Sequence, residues 1–141
     1  MAEYTNAALQ TVAIGQNVQF TETPVCCTRG YVQHREGSGI FTLRGITNQC
    51  RALYKVSFGG NIQIPEGGTI GEISIALAIE GEPLASATAI VTPAAVEEFF
   101  NVFVAVFVSV PRGCCLTVAV ENTSDQAIGV QNANLIVERV A

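Results

Sequence analysis

Charge is the scarcest commodity in this chain. Only 13% of its residues are charged, about half the share of an ordinary soluble domain. Lysine, histidine and aspartate occur once each, as Lys55, His34 and Asp125. A serine hydrolase triad would need that one histidine and that one aspartate beside an activated serine, and no Gly-x-Ser-x-Gly elbow accompanies them. A cysteine nucleophile would need His34 within hydrogen-bond reach as its base, and nothing in the spacing places it there. The sequence therefore argues against an enzyme, and it offers no cofactor motif.

Metal chemistry is poorly served as well. The cysteines form vicinal pairs, Cys26-Cys27 and Cys114-Cys115, rather than Cys-x-x-Cys knuckles. Neighbouring strand residues point to opposite faces, so the two members of a pair do not converge on one zinc. The acidic residues are dispersed, with no calcium loop among them. The net charge of −5 disfavours nucleic acid and anionic membrane as partners, because both require a basic footprint. The cations Arg29, Arg35, Arg44, Arg51, Lys55, Arg112 and Arg139 are spread along the sequence. The opening MAEYTNAALQTVAIGQ has no basic n-region and no apolar core, so it does not read as a signal peptide. No apolar run reaches the 18 or so residues of a spanning helix.

What is present is a succession of short alternating runs divided by turn signals, the mark of an all-β sandwich or jelly roll. At 141 residues the chain suits one domain with a full core. The runs predict strands at Gln10 to Thr21, Tyr31 to Arg35, Ile40 to Gly45, Arg51 to Phe58, Glu72 to Glu80, Leu84 to Val91, Glu98 to Val110, Cys115 to Glu121 and Ile128 to Val140. In the run from Glu72, Ile73, Ile75, Leu77 and Ile79 are expected inside, and Ala76 and Ala78 outside. No convincing helix is found.

The most unusual run is Glu98 to Val110, EFFNVFVAVFVSV. One face carries Phe100, Val102, Val104, Val106, Val108 and Val110, the other Phe99, Asn101, Phe103, Ala105, Phe107 and Ser109. An antiparallel strand usually packs one face on the core and wets the other. Here the valine face reads as core, and the phenylalanine face is too apolar to leave in water. Either the chain covers both faces itself, or a second subunit covers the phenylalanine face.

Five cysteines, Cys26, Cys27, Cys50, Cys114 and Cys115, leave two uses open. They are reduced thiols in a cytosolic protein, or disulfides in one that leaves the cell by lysis or on a spore. Both vicinal pairs flank turns. If those turns share one end of the sandwich, a bridge between them becomes plausible, with the remaining thiols free to cross-link subunits.

The stretches FGGNIQIPEGGTIGEISIALAIEGEPL (from Phe58), VSVPRGCCLTVAVENTS (from Val108) and VQNANLIVERV (from Val130) resemble small phage and bacterial proteins with a TNF/C1q-like jelly roll. The C-terminal domains of collagen-like exosporium glycoproteins are similar. The resemblance covers the chain from about Phe41 onward. It implies 8–10 antiparallel strands and a homotrimer packed around the inner sheet, with no catalytic residues to carry over. Phe99, Asn101, Phe103, Ala105 and Phe107 then become the expected trimer interface. The exosporium pattern's Gly-x-y stalk is missing; residues 1–25 read as an arm and first strand, and 26–141 as the jelly roll.

These readings lead to a non-enzymatic structural protein on a virion surface, as a head decoration or fibre component. Its partners would be itself and a capsid or other surface-layer protein. The alternatives are a disulfide-linked spore-surface or appendage subunit and a glycan- or receptor-binding module.

Overall fold

The computed structural model describes residues 2–25 and 30–141. Eleven strands form among the described residues, all antiparallel to their neighbours, and there is no helix. They are β1 (Ala2–Asn6), β2 (Gln10–Val12), β3 (Glu22–Val25), β4 (Val32–His34), β5 (Ile40–Arg44), β6 (Arg51–Gln63), β7 (Ile73–Ile79), β8 (Glu82–Val91), β9 (Phe100–Pro111), β10 (Cys115–Asn122) and β11 (Ile128–Arg139). The first sheet runs β3-β1-β11-β6-β9, with β2 also on β11; the second runs β4-β5-β10-β7-β8. Consecutive strands repeatedly switch sheets, which is jelly-roll winding.

The alternation seen in sequence builds the core directly. Strand β6 turns Ala52, Tyr54, Val56, Phe58 and Ile62 inward, and β9 turns in Val102, Val104, Val108 and Val110. The two strands pair without interruption from Arg51 opposite Pro111 to Ile62 opposite Phe100. From the second sheet come Phe41, Leu43, Ile73, Ile75, Leu77, Val118 and Val120. Phe20 bridges the layers, its ring centroid 5.3 Å from Phe41 and 6.4 Å from Phe58. A polar handle in this core is the Tyr54 hydroxyl, which donates to the Arg44 carbonyl at 2.5 Å. In β11 the register shifts between Gln131 and Asn134. Asn132 takes φ 57° there, a left-handed conformation that asparagine tolerates and branched residues do not.

Several expectations need correction. The run Gln10 to Thr21, expected as a strand interrupted at Gly15-Gln16-Asn17, is a strand only at β2; after the turn a single bridge joins Asn17 to Glu121. Ala76 and Ala78 are buried rather than outward-exposed. Strand β7 is paired on both sides, and a methyl group stays level with the backbone of its neighbours. The count exceeds the expected 8–10 because β1, β2 and β3 are short strands of low hydrophobicity. Strands β1, β2 and β3 join the first sheet: β1 lies between β3 and β11 with Ala2 opposite Val137. Tyr4 is buried against Phe41, ring centroids 4.7 Å apart.

Candidate functional site

The outward face of the first sheet is where apolar surface is left unsatisfied. On β9, Phe103 is 67% and Phe107 60% exposed. Their placement follows from strand geometry: with Val104 and Val108 turned into the core, period 2 leaves Phe103, Ala105 and Phe107 facing out. Ala105 is half-buried between the two rings. The register lays Gly59 beside Phe103, Ser57 beside Ala105 and Lys55 beside Phe107. The next strand places Asn134, Ile136 and Glu138 alongside those same β6 residues. Two aromatic knobs thus flank a low floor of Ala105, Ser57 and Gly59. A Cβ on Gly59 would stand 3.8 Å from the Phe103 ring, so the glycine is what keeps that floor low.

Polar groups on this face are mostly tied to one another. Asn101 Nδ2 donates to Asn61 Oδ1 at 3.1 Å, and Asn134 Nδ2 to Glu3 Oε2 at 2.7 Å. At one end of β6, Arg51 Nε donates to Ser109 Oγ at 2.5 Å. Asn61, Asn101 and Asn134 can therefore be covered with these bonds kept.

Of the five interface residues expected from sequence, Asn101, Phe103, Ala105 and Phe107 share this face on β9. Phe99 lies just before the strand, 42% exposed. Sequence reading missed the contributions of Leu53, Gly59, Asn61 and Ile136. The signal was present in β6, whose outward positions from Leu53 to Asn61 hold one charge, but only the register reveals that they adjoin the phenylalanines.

The chemistry-bearing residues are not gathered. His34 stacks on Phe41 with centroids 4.3 Å apart and an interplanar angle of 12°, while its Nε2 is bonded to the Ser38 carbonyl oxygen at 2.8 Å. Asp125 lies in a separate open groove of 470 Å³, with Glu72, Ser74 and Thr123. No three of histidine, cysteine, aspartate and glutamate meet in a metal-binding arrangement among the described residues. Cys50, Cys114 and Cys115 are exposed free thiols; Cys26 and Cys27 lie outside the described residues.

No protein-family model matches the chain, and no curated protein is significantly similar to it in sequence. Solved structures do match. The globular domain of zebrafish complement 1qA protein aligns with a TM-score of 0.63 at 13% identity, over 96% of this chain and 94% of that one. The C-terminal domain of EclA, a sugar-binding protein, aligns with a TM-score of 0.43 at 13% identity, over 94% of this chain and 80% of that one. Two antiparallel sheets wound as described, matching the first of these almost end to end, give the chain the jelly-roll fold of the C1q globular domain.

Proposed function

We propose that this chain is a non-enzymatic structural protein. It assembles as a homotrimer through the outward face of the first sheet and sits on a virion exterior as a head decoration or fibre component. The observation that carries the assembly is the pair of exposed rings, Phe103 and Phe107, on a face with the small residues Gly59, Ser57 and Ala105 between them. Fully burying a phenylalanine contributes about 1.5–3 kcal/mol, so covering two rings this exposed adds roughly 2–4 kcal/mol per copy. Copies of the same chain suit the face because it offers both the knobs and the low floor between them. The TNF/C1q-like resemblance supports three of them.

A particle surface is supported by the low charge, which suits a packed assembly, and by the match between trimers and the three-fold positions of a closed shell. Light scattering on the purified protein tests the assembly: three chains are expected, and one chain at every concentration overturns it. Co-sedimentation with empty capsids tests the location. A trimer that ignores capsids removes the decoration role while leaving the interface intact.

A further inference from the structure

All three described cysteines sit at one end of the sandwich, and the fold, not the sequence, gathers them. Cys115 opens β10 opposite Arg44, the last residue of β5. The amide of Gly45 donates to the Cys114 carbonyl at 2.8 Å, and that of Gly113 to the Gly45 carbonyl at 3.0 Å. Cys50 immediately precedes β6, whose first residue pairs with Pro111 at the end of β9. Its carbonyl accepts from the Arg112 amide at 2.9 Å. The β5–β6 and β9–β10 loops, joined through these hydrogen bonds, therefore present three exposed thiols, and no described thiol lies at the opposite end. The number is odd, so pairing among these three leaves at least one sulfur for a partner.

We infer that this end is a thiol-linked interface between two copies of the chain, related by a two-fold axis. Identical molecules carrying thiols at one end bring them together when they meet end to end. Such a contact uses the same patch on both partners and closes after two.

Linkage needs an oxidant, and a small disulfide supplies it. A thiolate of one copy attacks hydroxyethyl disulfide and releases one mercaptoethanol. A thiolate of the facing copy then displaces the second. Overall two thiols and one reagent disulfide give one interchain disulfide and two mercaptoethanol molecules. The inference is independent of the trimer: the product is twice whatever the reduced species is, six chains for a trimer.

The test treats reduced full-length protein with hydroxyethyl disulfide, then applies native mass measurement and a non-reducing denaturing gel. Doubling of the native mass, with a gel band of two chains and nothing larger, is expected. The triple variant C50S/C114S/C115S should lose the band, while C26S/C27S keeps it; equal melting temperatures show that both fold. A ladder beyond two chains overturns the two-fold closure. A mass lowered by one internal disulfide without doubling overturns the interface. Loss of the band in C26S/C27S also overturns it, by assigning the link to other thiols.

Discussion

Replacing Phe103 with aspartate separates the stability of one chain from the stability of its assembly. Phe103 is 67% exposed in the single chain, so the substitution leaves the sandwich core untouched. Such surface changes usually fall within about ±0.5 kcal/mol. In the proposed trimer the same ring would be covered, and its exposed two-thirds would be worth roughly 1–2 kcal/mol per copy. Over three copies the loss is about 3–6 kcal/mol, which at 1.4 kcal/mol per tenfold is some two to four decades in assembly equilibrium. Aspartate adds a desolvation penalty of several kcal/mol for each carboxylate brought to the interface. Sedimentation equilibrium over a wide concentration range should find the Phe103→Asp chain monomeric, with the circular dichroism spectrum of a folded β protein. Phe103→Ala should be a weakened trimer. Ile90→Asp is the control, because Ile90 is 59% exposed on β8 of the other sheet, and it should remain trimeric. A Phe103→Asp chain that still sediments as three subunits would show that the face is not the interface.

Val104→Ala removes two methyl groups from the valine face and should lower stability by about 1.5–3 kcal/mol; denaturant unfolding measures it, and assembly should survive at low temperature. Asn132→Val places a branched residue at φ 57° and should cost about 1–2 kcal/mol, whereas Asn132→Gly should be close to neutral in the same melt. Gly45→Ala drives a Cβ into the Pro111 carbonyl oxygen, with the Cys114 carbonyl 3.1 Å away. Neither is the yielding end of a side chain, so thermal unfolding should show a loss of about 3 kcal/mol or more.

The fold was legible wherever alternation was clean. The valines of β9, the Tyr54-Val56-Phe58 series of β6 and the Ile73-Ile75-Leu77 series of β7 all announce which face is core, because burial and period 2 coincide there. The short strands near the N-terminus were not legible. Ala2–Asn6 has three polar positions in five, Glu3, Thr5 and Asn6, and is held in place through β11 and the Tyr4–Phe41 contact, which are tertiary facts. The candidate face was half legible: the excess of phenylalanine flagged β9, yet Gly59, Ser57 and Ile136 look ordinary until the register sets them beside it. The thiol end was legible least. Cys50 and Cys114 are 64 positions apart in the sequence, and only the crossing of β5, β6, β9 and β10 makes them neighbours.

Strand β11 is the final strand of the domain, yet it occupies the centre of the first sheet, flanked by β1 and β6. During synthesis, β1, β6 and β9 all leave the ribosome before the strand that joins β1 to β6 exists. The first sheet stays in two pieces until Ile128–Arg139 arrives and zips them together. A nascent chain therefore carries its aromatic face on β6 and β9 alone, before β11 sets Asn134, Ile136 and Glu138 alongside. A chain cut before Ile128 should therefore not fold.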